Sequence, residues 1–129
     1  MIATPGSLLL DSNILVWLDH GSKRLSTNVL TQIQTSPQVY ASAVSAWELS
    51  LKQSIGKLRL TRQVPELIRD ENLTELPVTV QHGEAVRQLP LFHRDPFDRL
   101  LIVQAMVEGL ILVTGDKIFL KYGIPVILV

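Results

Sequence analysis

Asp11, Glu48, Asp98 and Asp116 are acids set among apolar residues, at places where the chain changes from one element to the next. Asp11 follows Leu8-Leu9-Leu10 and precedes Ser12-Asn13 and a second apolar run, so a strand hands over to a helix there. Asp116 follows the strand-like Leu112-Val113-Thr114 in the same manner. Asp98 shares a helical face with Leu101, Ile102 and Ala105 and so points along the apolar side of its own helix. Glu48 lies about 60° from the centre of a stripe formed by Val44, Trp47, Leu51, Ile55 and Leu58. Each has an ordinary explanation alone: an N-cap at Asp11, a helix-dipole acid at Asp98, a snorkelling edge glutamate at Glu48. Gathered in one crevice, the four carboxylates would repel one another and raise each other's pKa. A hard divalent cation resolves that repulsion, because Mg²⁺ or Mn²⁺ takes oxygen ligands and bridges carboxylates to phosphate. The residues therefore point to metal-dependent phosphodiester or phosphate chemistry, with a metal-activated water as nucleophile.

The elements that must position these acids follow from local pattern. Residues 1–6 form a loose lead-in, and 7–10 read as a short buried strand before a helix over 14–18. Gly21-Ser22 separate this from a second helix over 26–35, and Ser36-Pro37 precede a strand over 39–42. A helix over 44–55 carries the apolar stripe inward. Residues 61–72 predict a helix with Leu67 and Ile68 buried, 75–79 an extended segment, and 80–89 a short helix ended by Pro90. Asp95 at the N-cap, Pro96 at N1 and Asp98 at N3 start a helix that Gly109 stops. Strands over 110–114 and 124–129 follow. Strands alternating with helices argue for a mainly parallel sheet covered on both faces, with ligands at the strands' carboxyl ends. No repeat, linker or low-complexity tract interrupts residues 1–129, which read as one domain.

Composition excludes more than it selects. A chain of 129 residues with 47% hydrophobic content supports a packed core. With no cysteine there is neither a disulfide framework nor a thiolate metal site. Apolar runs fall short of the ~20 residues that span a bilayer, and no basic leader with an apolar core opens the chain. A soluble, cytoplasmic protein is expected. Twelve basic residues cancel twelve acidic ones, so net charge gives no support for a non-specific nucleic-acid surface. Lys52, Lys57, Arg59 and Arg62 are either a basic rim to an acidic pocket or a solvated helix end. His82 and His93 lack the spacing of a helical zinc site and read as ordinary surface or loop residues.

LLLDSNILVWL, SAWELSLK, HRDPFDRLLIVQA and ILVTGDKIF, in that order, resemble the PIN-domain family, and within it the VapC-like ribonuclease toxins of type II toxin–antitoxin modules. The resemblance covers residues 8–128. It implies a PIN-like α/β/α sandwich with a mainly parallel central sheet and an endoribonuclease dependent on Mg²⁺ or Mn²⁺. It also implies a cognate antitoxin that holds the enzyme inactive, and homodimer formation. Asp11, Glu48, Asp98 and Asp116 match the family's acidic quartet, as catalytic residues and metal ligands. Ser12 matches the small hydroxyl residue after the first acid, and Asp95 belongs to the DPFD form of the third motif. Thr114 resembles the threonine before the last acid, placed to orient a carboxylate or phosphate or simply to end a strand. Asn13 stands where relatives with DPFD often carry His.

Arg94 and Arg99 flank the third motif and are candidates for contacts to RNA phosphate, or for pairing with nearby acids. Three other readings remain open at this point. A Mg²⁺-binding phosphoacceptor domain also gathers acids at strand ends, but Ser12-Asn13 supply no second acid beside Asp11. A phosphatase of the haloacid dehalogenase type would carry Asp where Asn13 stands. A non-catalytic PIN-like scaffold that binds RNA or protein would retain the fold without cleavage.

Overall fold

The computed structural model describes residues 4–129, so the first half of the expected lead-in lies outside the described residues. Five parallel strands form one sheet in the order β3-β2-β1-β4-β5, where β1 is Leu8–Leu10, β2 Val39–Ser42, β3 Thr74–Leu76, β4 Ile111–Thr114 and β5 Val126–Leu128. Helices α1 (Ser12–His20), α2 (Thr27–Thr35), α3 (Ala43–Ser54), α4 (Val64–Asp70), α5 (Val80–Ala85) and α6 (Pro96–Glu108) connect them.

Side-chain alternation in the strands divides the core into two layers. Leu8, Leu10 and Val113 face Ile14, Leu15, Val29, Ile33 and Leu49, on the side of α1 and α2. Leu9 and Leu112 face Leu101, Ile102, Ala105 and Phe119, on the side of α6. Both sheet faces are buried, which is why these strands are continuous apolar runs. The result is an α/β/α sandwich.

The strand order reverses between β1 and β4. Chain connections leave opposite sides of the sheet there, and a crevice opens at the strands' carboxyl ends. Asp11 follows β1 and Thr114 ends β4, and the Asp11 N–H donates to the Val113 carbonyl at 2.9 Å. The two ends are thus tied by backbone before any side chain acts.

Three expectations need correction. The extended segment expected over 75–79 is a paired edge strand, β3, over Thr74–Leu76. The helix expected over 61–72 begins only at Val64, because the Thr61 and Arg62 N–H groups are extended to donate to Asp19. The apolar stripe of α3 is not inward: Trp47, Leu51 and Ile55 are 63%, 46% and 59% exposed, while Ser45, Glu48 and Leu49 are buried. A wheel finds where apolar residues cluster, but what a helix packs against decides which face is inside. Here the inward face of α3 carries Ser45 and Glu48, which both meet the hydroxyl of Ser12 on α1.

Candidate metal centre

Asp11 is the N-cap of α1. Its Oδ1 accepts the Ser12 N–H at 2.7 Å, and its Oδ2 accepts the Thr114 hydroxyl at 2.7 Å. Burial pushes its carboxyl up to about 6, with the charges of Glu48 and Asp116 adding to the rise against the pull of those two hydrogen bonds. Thr114 also accepts the Asp116 N–H at 3.0 Å, so one hydroxyl sets both acids at this end of β4. Gly115 between them permits a close approach: a Cβ there would lie 2.8 Å from Trp17 Cη2 on α1.

Glu48 reaches the same crevice from α3. Ser42 caps that helix by accepting the Val44 N–H, and donates its own proton to Gln104 Oε1 on α6. The buried Gln104 is completed by the Pro77 carbonyl, so a polar link inside the core fixes α3 against α6. Glu48 accepts the Ser12 hydroxyl at 2.7 Å and pairs with Lys52 one turn on at 2.9 Å. Lys52 is half-exposed, and its hydrogen bond to Glu48 raises its pKa above the ordinary value.

Asp98 is presented by the first turn of α6. Asp95 Oδ1 accepts the N–H groups of Phe97 and Asp98, Pro96 occupies the first turn, and Gly109 closes the helix in the left-handed conformation. Asp98 is pushed up to about 8, first by burial and then by the charges of Asp11, Asp95, Glu48 and Asp116. The charges of the other three quartet acids thus reach Asp98, and those of Glu48 and Asp116 reach Asp11.

The acids form two bridged pairs. Ser12 joins Asp11 to Glu48 through its N–H and hydroxyl. His93 joins Asp98 to Asp116, with Nε2 2.9 Å from Asp98 Oδ2 and 3.1 Å from Asp116 Oδ2. One donor atom from each of His93, Asp98 and Asp116 lies within 4.8 Å of the other two.

The expectation that His93 is an ordinary loop residue is wrong: it belongs to the acidic crevice. Zinc-site spacing carries no information about this position. A loop histidine two residues before a capping acid lies beside the helix's first turn, and that proximity carried the information. His82 is buried too, bonded to Glu108 at 2.8 Å and remote from the quartet in the fold.

The supporting residues divide. Ser12, Thr114 and Asp95 border the quartet, whereas Asn13 is exposed. Arg94 is exposed and makes no ion pair among the described residues. Arg99 does not face outward for phosphate. Its guanidinium donates to the carbonyls of Val86, Leu89, Pro90 and His93, closing the loop that carries His93. Of the four residues considered for a basic rim, Lys52 borders the quartet, while Arg62 holds Asp19 and Glu71.

Hard carboxylate oxygens, two buried at Asp11 and Glu48 and two half-buried at Asp98 and Asp116, fit a divalent cation of the Mg²⁺ or Mn²⁺ type. A parallel sheet that gathers such a cluster at its switch point defines an α/β/α protein with its candidate ligand crevice at the strands' carboxyl ends. The chain belongs to the PIN-domain family, whose sequence profile matches residues 8–125. It is 27% identical over 114 residues to Ribonuclease VapC22 of Mycobacterium tuberculosis, covering 86% of this chain and 88% of that one. VapBC2 from Rickettsia felis, solved bound to a DNA fragment from its promoter, superposes with a TM-score of 0.67 at 15% identity, over 94% of this chain and 97% of its own. DNA-bound VapBC from Salmonella typhimurium superposes with a TM-score of 0.65 at 16% identity, over 98% of each chain. Family membership sets aside the phosphoacceptor and haloacid dehalogenase alternatives.

Proposed function

We propose that this protein is a metal-dependent endoribonuclease, the toxin of a type II toxin–antitoxin module. The observation that carries the reading is the convergence of Asp11, Glu48, Asp98 and Asp116 at the carboxyl ends of β1 and β4 in a PIN-domain chain. A bound Mg²⁺ or Mn²⁺ supplies charge neutralisation, a water activated for in-line attack on phosphorus, and stabilisation of the leaving oxygen. The chain's own residues set the terms for that. The four carboxylates hold the cation, Ser12 and Thr114 fix the orientation of Asp11, and Ser12 also orients Glu48. Lys52 beside Glu48 and the exposed Arg94 are the cations offered to RNA phosphate.

A cognate antitoxin and a second copy of the chain are the proposed protein partners. Trp47, Leu51 and Ile55 on the outer face of α3 supply apolar surface for the antitoxin, and Trp47 packs edge-on against Phe97 at the mouth of the crevice. A peptide lying there would cover the approach to the acids. No helix among the described residues is long and apolar enough to cross a membrane; action on RNA in the cytoplasm is part of the proposal. Cleavage of a structured RNA by the purified protein, with Mg²⁺ and with EDTA, tests the reading.

A further inference from the structure

His93 stands among the quartet with its ring nitrogen close enough to two carboxylates to be read as a third metal ligand. Its hydrogen bonds argue otherwise. The Asp95 backbone N–H donates to His93 Nδ1 at 3.2 Å. A backbone amide can only donate, so Nδ1 presents its lone pair and the ring proton of the neutral tautomer lies on Nε2. That proton faces Asp98 Oδ2 and Asp116 Oδ2. A nitrogen carrying its proton cannot also offer a lone pair to a cation.

The ring is held in this pose from several sides. It stacks on the buried Phe119 with centroids 5.6 Å apart and planes 28° apart. The His93 N–H donates to the Tyr122 hydroxyl at 2.7 Å, and that hydroxyl donates to the Pro90 carbonyl. The His93 carbonyl accepts from Arg99 at 3.1 Å. Turning the ring to bring a lone pair inward would break the Asp95 bond and the stack together.

We infer that His93 is a positioning residue for the metal centre, a hydrogen-bond donor that clamps Asp98 to Asp116, and not a ligand. The inference rests on the metal-site reading above and adds a residue to it. Asp98 comes from a helix start and Asp116 from the turn after β4, and the His93 Nε2–H is the side-chain link that spans them. Groups hydrogen-bonded to metal-ligating carboxylates commonly contribute tenfold or more to metal affinity.

Mn²⁺ binding by the RNA-free protein, followed by pulsed electron paramagnetic resonance and by titration calorimetry, tests it on wild type, His93→Gln and His93→Ala. Glutamine places an amide N–H where Nε2–H lies, but does not reproduce an imidazole lone pair. The result expected is Mn²⁺ binding by wild type without the strong coupling of a directly bonded nitrogen. Affinity should stay within about threefold in His93→Gln and fall about tenfold or more in His93→Ala. A directly bonded nitrogen signal in wild type, lost in both variants, overturns the inference in favour of a ligand. Equal affinity in all three proteins overturns it in favour of a bystander. Failure of wild type to bind Mn²⁺ at all removes the metal site and the inference with it.

Discussion

Thr114 Oγ1 donates to Asp11 Oδ2 at 2.7 Å, joining the ends of β4 and β1 across 103 positions of sequence. The same oxygen accepts the Asp116 N–H, so Thr114 couples the first and last acids of the quartet. Replacing it with valine keeps the shape but leaves a buried carboxylate oxygen and an amide short of partners. Thr114→Val should lower unfolding stability by about 1–3 kcal/mol, and Thr114→Ser should recover most of that. Urea denaturation of the three proteins measures it, and a valine variant as stable as wild type would show that the coupling contributes nothing.

Asp98→Asn separates a helix-cap acid from a member of a repelling cluster. As a first-turn acid alone, its loss would lower stability by about 0.3–1 kcal/mol whatever metal is present. Within the cluster, asparagine relieves repulsion, so the metal-free variant should melt no lower than wild type. Millimolar Mg²⁺ should raise the wild-type midpoint by mass action and the variant's much less. Thermal melts with EDTA and with Mg²⁺ decide; a variant that melts lower in EDTA and gains equally from Mg²⁺ returns Asp98 to the cap.

The raised carboxyls set the sign of the pH dependence of the metal-free protein. Asp98 rises from 3.8 to about 8 and Asp11 from 3.8 to about 6. Between the unfolded and folded values the native state binds more protons than the unfolded chain, so stability falls as pH rises. Asp11 contributes to that fall up to about pH 6, and Asp98 continues it to about pH 8. In EDTA the midpoint should therefore be higher at pH 5 than at pH 8, and Asp98→Asn should flatten the difference. A midpoint that climbs over that range in wild type contradicts the clustering.

Much of this was legible from residue type and spacing. The strand-to-helix steps around Asp11, Asp98 and Asp116 rest on caps, prolines and apolar runs, which are local, and the helix start at Asp95 falls where expected. Proximity to the apolar stripe of α3 does not explain the burial of Glu48, because Trp47, Leu51 and Ile55 of that stripe face outward. The pattern within one helix does not encode the Ser12 hydroxyl on α1, which meets Glu48 and Ser45 of α3 from 36 and 33 positions away. The surroundings of His93 and Arg99 are not legible in the sequence because their partners are set by loop closure. An arginine beside acids suggests phosphate until four backbone carbonyls are found around it.

Arg99→Ala should accordingly destabilise the protein by about 1–3 kcal/mol by freeing those carbonyls. It should leave the salt dependence of RNA binding unchanged. A phosphate contact would instead lower the slope of log K against log salt by about 0.7. Binding to a non-cleaved RNA across a salt series, beside a denaturation curve, distinguishes the two.

The outer face of α3 makes a prediction in cells. Expression of the protein alone should arrest growth, and co-expression of its antitoxin should relieve the arrest. Ile55→Glu changes an exposed side chain and should alter stability by no more than about 0.5 kcal/mol. It should remain toxic yet escape neutralisation. Full neutralisation of that variant would place the antitoxin elsewhere.

RNA cleavage with analysis of the product ends reaches the proposed chemistry most directly. Purified wild-type protein should cut a structured RNA with Mg²⁺ or Mn²⁺ and stop with EDTA. The products should carry 5′-phosphate and 3′-hydroxyl ends, because the proposed nucleophile is water and not the ribose 2′-hydroxyl. Cleavage that persists in EDTA and leaves cyclic phosphate ends would contradict a metal centre built on Asp11, Glu48, Asp98 and Asp116.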